Sequence, residues 1–311
     1  MRNRLIFAFL VVVFARSTGI AETNTVFNFL RIDMTPRAAG LAGSAVTMND
    51  DPSALFYNPA AVGTLTTTRG GVGFFKNLLD VNAGAFSYGE QFDFGTLAAG
   101  VVYQHYGTFT QTDEVGNSIG SFTASDMALM VAYSNTLDKN LYWGATAKFI
   151  HSSIADAGSS ALAADLGLLY TIPESRLAFG VSVRNLGGQL STFAGVKEDL
   201  PLDVTVGASV VPRGLPLLLS VNLHKLNQEG TVSERLRSFT IGGEFTLSRI
   251  IQLRIGFDNE QRKDLTLANT SGLTGFSGGL GITIDRYRVD YAISSLGSIG
   301  TLHRVGITST F

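Results

Sequence analysis

The sequence predicts an all-β exported protein, an antiparallel transmembrane β-barrel of about 14 strands with a small N-terminal plug. Three observations carry that expectation. The chain opens with the pattern of an export signal, most of the remainder alternates apolar and polar residues with a period of two, and no apolar run beyond the signal is long enough for a membrane helix.

Arg2 and Arg4 form a positive start, Leu5 to Ala15 is apolar, and small residues at Gly19 and Ala21 follow. That order is a secretory signal peptide, expected over 1–21 with cleavage after Ala21. The apolar run is too short for an anchor, because a spanning helix needs about 20 apolar residues. Removing Arg2, Arg4 and Arg16 leaves 20 basic against 25 acidic residues and a mature net charge of −5. There is no long basic patch, so nucleic acid is not an expected partner. The chain has no cysteine, so the fold uses neither disulfides nor thiolate metal sites.

Residues 22–62 do not alternate and are expected to form the plug. Within Asp51-Pro52-Ser-Ala-Leu-Phe-Tyr57, Asp51 caps a short helix and Pro52 takes its first position, where a missing N–H is harmless. Asn58-Pro59 ends it, since the residue before proline is pushed out of the helical region.

The barrel is expected over 63–311, with strands at 64–77, 80–90, 95–111, 120–137, 141–155, 159–173, 177–186, 202–211, 216–226, 235–248, 251–260, 275–286, 287–296 and 303–311. In one of these segments Ile251, Leu253, Ile255 and Phe257 oppose Gln252, Arg254, Gly256 and Asp258. In another, Phe239, Ile241 and Phe245 oppose Thr240, Gly242 and Glu244. A strand turns successive side chains to opposite faces, so each segment has one apolar face and one polar or tiny face. A soluble sandwich shares that period. The segments are longer than the about 5–6 residues of soluble strands, and the polar face is rich in Gly, Ser and Thr, which favours a lumen. In lipid no water satisfies a free strand edge, so spanning strands must close into a cylinder. Loops are expected at 111–120, 187–200, 227–235 and 260–275, all on one side. The chain stops at Phe311, on one face with Val305 and Ile307, which is the form of a barrel-assembly signal read by the assembly machinery.

Gly275-Phe-Ser277-Gly-Gly279 matches the G-x-S-x-G pattern, but the next residues, 280–284, read as strand, whereas a nucleophile elbow requires strand, turn and helix. His105, His151, His224 and His303 are widely spaced and fall in no zinc motif. No catalytic residue, metal or cofactor is expected, and the chain reads as not an enzyme. Lys148, Asp165, Arg184, Asp203, Glu244, Arg254 and Asp258 fall on the lumen face. Buried charges must be paired or hydrated. They brace the plug, with Arg37 pairing to one of these acids, or they line a passage for a small solute.

The motifs Phe27-Asn-Phe-Leu30, Arg37-Ala-Ala-Gly40, Asp50-Asp51-Pro52-Ser53 and Tyr57-Asn58-Pro59-Ala60 resemble the N-terminal signature of the PorV/PorQ family. Leu79-Asp-Val-Asn82, Thr112-Asp-Glu-Val-Gly-Asn117, Phe122-Thr-Ala-Ser-Asp126, Lys148-Phe-Ile-His-Ser-Ser153, Arg184-Asn-Leu-Gly187 and Leu200-Pro-Leu-Asp203 are similar to stretches of its PorQ branch. The family is related to FadL-like channels of 14 strands with an N-terminal hatch. A departure is Leu41-Ala-Gly43, where the family more often has a Gly-Gly pair. The resemblance implies an outer-membrane subunit of the type IX secretion attachment complex, alongside PorU and PorV, that anchors a PorZ-like surface protein for cargo display. The alternative it implies is a FadL-like channel for hydrophobic small molecules.

Overall fold

Fourteen strands, each antiparallel to its neighbours, follow one another around a cylinder, and the first closes on the last. The computed structural model describes residues 25–76, 81–193, 195–228, 231–265 and 272–311. The expected signal segment therefore lies outside the described residues. The strands are β1 (Arg69–Lys76), β2 (Asn82–Phe92), β3 (Gly95–Thr112), β4 (Ser118–Asp138), β5 (Leu141–Ile154), β6 (Ala157–Ile172) and β7 (Leu177–Ser191). The second half runs β8 (Asp203–Val210), β9 (Leu217–Leu223), β10 (Phe239–Thr246), β11 (Ile251–Asp258), β12 (Phe276–Ile284), β13 (Tyr287–Ser295) and β14 (Thr301–Thr310). Each expected segment coincides with one of them, with ends displaced by a few residues.

Closure is made by β1 on β14, from Arg69 opposite Thr310 to Lys76 opposite His303. No edge strand is left, which is the condition for crossing lipid with strands. No helix among the described residues is long and apolar enough to cross a membrane. The outer face carries the apolar half of the alternation: Val221, Ile241, Ile255, Val305 and Ile307 are exposed there, while their neighbours Asn222, Thr240, Arg254 and Arg304 point inward and are buried.

One end of the cylinder carries short turns, and the longest connections lie at the other, together with the two-residue turn between β5 and β6. Asp93-Phe94, Lys139-Asn140 and Asp285-Arg286 close three hairpins at the end where β1 starts and β14 stops. Connections 192–202, 224–238 and 259–275 lie at the opposite end. Outer-membrane barrels place short turns in the periplasm and long loops outside the cell. Outward aromatic residues gather at the turn end. Phe92 stacks on Phe94 at 5.2 Å, and Tyr133 meets Trp143 edge-on at 5.7 Å. That is the interfacial girdle expected of a spanning barrel.

The wall is uneven. β3 and β4 have 18 and 21 residues, whereas β9 has 7 and β8, β10 and β11 have 8 each. Spanning takes about 9–11 residues, so the β3–β4 hairpin rises past the bilayer. It bends where pairing shifts register between His105 and Thr108.

Three expected loops differ, and in one of them, 227–235, a helical turn covers Val232–Arg235. Residues 187–191 continue β7 instead of starting a loop, because the strand absorbs one extra residue as a bulge between Ala164 and Leu166 of its partner. Asn185 supplies the bulge at φ 60, a conformation Asn tolerates better than most residues. The stretch 260–275 contains a helix, Asn259–Asp264. Asp258, expected on the lumen face, caps that helix by accepting from the Glu260 and Gln261 N–H groups.

The plug fills the lumen with four short helical turns, Asn28–Arg31, Pro36–Gly40, Pro52–Phe56 and Pro59–Val62. Asp51 accepts from Ser53 N at 3.0 Å and Pro52 is the first helical residue. Asn58 ends that turn and caps the next one, accepting from Ala60 N at 3.1 Å. Phe27, Phe29, Leu55, Val62 and Leu65 are buried in one cluster with Phe75, Ile150 and Leu169 of the wall.

Candidate functional site

The plug meets the wall through glycines. A Cβ at Gly144 would come within 2.4 Å of Pro59 C, one at Gly167 within 2.0 Å of Asn58 Oδ1, and one at Gly256 within 2.4 Å of Ala42 N. At Gly180 and Gly207 a Cβ would strike Val46 O at 2.7 Å and Val46 Cγ1 at 2.5 Å. These five positions lie on β5, β6, β11, β7 and β8, so the plug presses its backbone against wall on several sides. Gly40 sits against Gly279 of β12, its Cβ position 3.2 Å from that Cα. Gly43 has φ 75 and Ala42 has φ 51, so two successive residues take the left-handed conformation, which glycine adopts freely and alanine rarely.

On the β10–β13 side the contact is ionic, and the charges form a closed ring. Arg37 of the plug grips Glu244 with Nη2 and Nε at 3.0 and 3.1 Å and reaches Asp51 with Nη1 at 3.1 Å. Arg254 joins Glu244 at 2.6 Å to Asp290 at 2.6 Å. Arg288 joins Asp290 at 2.8 Å back to Asp51 at 2.8 Å. Three guanidinium groups thus alternate with three carboxylates. Burial works against ionised Asp51, but Arg288 and Arg37 outweigh it and hold its carboxyl well below the usual range. Arg288 and Asp290 are ring members beyond the lumen charges that the sequence suggests. Their signal was available: they alternate with Tyr287, Val289 and Tyr291 along β13.

The other inward charges form separate clusters. Lys148 pairs with Asp165 at 2.7 Å and donates to Asn185 Oδ1 at 2.8 Å, and the Asn185 backbone N–H donates to Asp165 at 2.8 Å. Arg184 pairs with Asp203 and donates to Phe56 O of the plug at 3.3 Å. Asp50 ties the end of the plug to the start of β1 through Arg69 at 2.6 Å.

Two cavities flank the plug along the same stretch of wall. The loop-side chamber, about 220 Å³, is lined by Asp33, Tyr57, Arg184, Asp203, Asn222, His224, Lys225, Thr240 and Glu260 among others. The turn-side cavity, about 350 Å³, is lined by Asn49, Thr64, Tyr142, Arg176, Ser209 and Leu218 among others. Val46, wedged on Gly180 and Gly207, lies between them, and Asn58 holds it by donating to Val46 O at 2.8 Å and to Leu168 O at 3.1 Å. At the rim of the loop-side chamber His224 and Lys225 both meet Glu260, at 2.9 and 2.8 Å. Burial disfavours the Glu260 carboxylate, yet the hydrogen bonds from His224 and Lys225 prevail and bring its pKa down to about 2. His224 is raised: burial opposes its charge, but Glu260 and the nearby Asp203 and Asp258 outweigh it. Burial raises Asp33 against the pull of Arg304, Arg184 and His224.

Ser277 of the G-x-S-x-G pattern is an inward residue of β12 whose hydroxyl meets Ser294 Oγ at 3.2 Å, inside a sheet and not at a strand-to-helix turn. Among the described residues no three His, Cys, Asp or Glu gather as a metal site. Phe311 is exposed at the turn end, and its N–H donates to Thr68 O at 2.9 Å.

No family model matches the sequence, and no curated protein matches it. Solved structures do. A deletion mutant of the monoaromatic hydrocarbon channel TodX matches with TM-score 0.62 and 12% identity, covering 89% of this chain and 99% of that one. The monoaromatic hydrocarbon channel CymD matches with TM-score 0.60 and 13% identity, covering 93% and 99%. The toluene transporter TodX of Pseudomonas putida matches with TM-score 0.57 and 12% identity, covering 88% and 95%. At this identity the likeness is one of barrel fold alone.

Proposed function

We propose that the protein is a plug-gated outer-membrane channel for small molecules. The observation that carries this reading is the pair of cavities stacked along β7–β9, with Val46 of the plug between them. A solute would pass from one to the other only by moving a segment that Asn58 latches to the wall. The fold shared with hydrocarbon channels supports the class, and hydrophobic solutes are the cargo that likeness suggests, although fold alone does not set function. The test is flux into proteoliposomes. Asn58→Ala and Val46→Gly, each checked for a folded barrel, are expected to raise flux of solutes such as toluene several-fold over the native protein. No flux above empty vesicles from folded native and variant protein would overturn the reading.

The sequence motifs favour a second reading, a PorQ-like anchor of the type IX secretion system. On this reading the barrel would hold a PorZ-like protein at the surface with PorU and PorV. The β3–β4 hairpin that rises past the bilayer, with exposed Phe109, Val115 and Ile119, supplies a surface for such contact. Deleting the gene should strip the PorZ-like protein and sorting-domain cargo from the cell surface, and normal display would sink the reading. Both readings include export by a signal cleaved after Ala21, which N-terminal sequencing of the mature protein checks.

A further inference from the structure

One line of polar residues crosses the outward face of the barrel near its loop end. His303, Lys76, Asn82, His105, Ser125 and Ser153 stand opposite one another in turn, on β14, β1, β2, β3, β4 and β5. Their strand neighbours Arg304, Phe75, Ala83, Gln104 and Ser152 are buried on the lumen side. Successive residues of a strand face opposite ways, so the line faces away from the lumen. Two residues nearer the turn end, Val305, Phe74 and Tyr103 face the same way and are exposed. The line is thus the loop-side edge of the lipid-facing band.

Every spanning strand leaves that band on polar residues, and this edge is distinguished by its sign. Lys76 is exposed at the end of β1, and among the described residues no carboxylate pairs with it. His303 stands opposite, its ring fixed by the Tyr291 hydroxyl 2.6 Å from Nδ1 and by Thr301 Oγ1 3.1 Å from Nε2. Asn82 and His105 carry further N–H donors. No acid occurs in the line. Glu90, which also faces outward from β2, lies toward the turn end.

We propose that this edge binds a phosphorylated, multiply acylated lipid of the outer leaflet, with its phosphate on Lys76 and its acyl chains on Phe74, Val305 and Tyr103. The inference stands apart from the channel reading and uses only the placement of the loop end outside the cell. An ammonium flanked by uncharged donors suits phosphate oxygens, which accept charge-assisted hydrogen bonds. A zwitterionic headgroup would bring its own cation to Lys76, with no carboxylate in the line to receive it. Free phosphate would leave the neighbouring apolar side chains uncovered, whereas acyl chains cover them.

Native mass spectrometry of the full-length protein, released from detergent, tests this with diphosphoryl lipid A, dephosphorylated lipid A and inorganic phosphate as probes. Diphosphoryl lipid A should be retained about tenfold more tightly than the dephosphorylated form, and excess inorganic phosphate should not displace it. Lys76→Glu should remove that preference. Lys139→Glu, the same charge change in the turn between β4 and β5, should keep it. Gel mobility of the unboiled protein shows whether each variant folds, and Lys76→Gln gives the same test should the charge reversal not fold. Equal retention of the two lipids, retention of neither, displacement by inorganic phosphate, or an unchanged preference in the folded Lys76 variant would each overturn the proposal. Loss of the preference in Lys139→Glu as well would show a response to net charge alone and would also overturn it.

Discussion

The plug is held by two walls of opposite character. Along β4–β6 it rests on apolar side chains and bare backbone: Pro59, Ala60 and Val62 lie against Gly144, Gly167, Ile150 and Leu169. Along β10–β13 it is held by the six-membered ring of Arg37, Asp51, Arg288, Asp290, Arg254 and Glu244. Apolar contact is non-directional and indifferent to pH. An ionic ring is directional, and removing one member leaves buried charge behind. The difference separates two jobs. The glycine wall decides where the plug sits, and the ionic wall decides that it sits in one orientation.

The largest effect should come from filling the glycine wall. Gly144→Val would place a branched side chain where Pro59 backbone already lies, 2.4 Å from the Cβ position. Backbone cannot yield as a flexible side chain can, so the expected outcome exceeds the about 1–3 kcal/mol of ordinary overpacking and is loss of the folded barrel. Semi-native gel mobility, in which a folded barrel runs faster than a boiled one, reads this directly. Gly188→Ala is the control: nothing lies within 4 Å of its Cβ position, and mobility should not change.

Breaking the ionic wall should destabilise without excluding the plug. Arg37→Ala removes the guanidinium that joins Glu244 to Asp51, at a site where only 12% of the side chain is exposed. The expected cost is about 3–5 kcal/mol, because two buried carboxylates each lose a partner. Urea unfolding in vesicles measures it. An unchanged midpoint would mean that the ring does not brace the plug, and that its charges serve a passage instead.

The two walls were not equally legible. Lumen residues such as Glu244 and Arg254 stand out because strand alternation has a period of two, and a charge on the wrong face of an apolar strand is visible without a structure. Arg37 was legible as a plug cation in search of an acid, but not which acid, because the pairing joins positions far apart in sequence. Asp258 keeps the lumen side that the alternation gives it, lining the loop-side chamber, but its second role as a helix cap at the strand end is set by local geometry that periodicity does not carry. The glycine wall was invisible as a wall. Glycines at 144, 167, 180 and 207 read as small lumen residues, and nothing in their spacing says that backbone from residues 46–59 lies against them.

A smaller and reversible test acts at the rim of the chamber, where the ionic wall meets the loops. The folded pKa of Glu260 is lowered to about 2. Its contribution is therefore fully present above the usual carboxylate value, about 4.3, and is lost as pH falls from there toward about 2. His224 is shifted the other way, upward. Its contribution is present below the usual imidazole value, about 6.5, and is lost as pH rises through the raised folded value. Hydrogen exchange of the Asn259–Asp264 helix should thus be slowest between about pH 4.3 and 6.5, after correction for intrinsic rates. His224→Gln should abolish the alkaline arm and keep the acid one. A profile flat across both arms would show that Glu260, His224 and Lys225 do not hold the helix.

The smallest effect on the folded state is expected at Phe311, which touches neither wall of the plug. Its ring is 71% exposed on the outer face, and its one backbone bond to Thr68 does not depend on the side chain. Phe311→Ala should therefore shift stability by no more than about 0.5 kcal/mol, the range of surface substitutions. If the terminal aromatic is read by the assembly machinery during insertion, the variant should lower the amount of barrel in the outer membrane while the barrels that do insert unfold at the native denaturant midpoint. A lowered midpoint would assign Phe311 to the seam between β1 and β14 instead, where its ring lies 3.4 Å from the Cβ position of Gly70. The two outcomes separate a signal used once, during assembly, from a contact used for the lifetime of the fold.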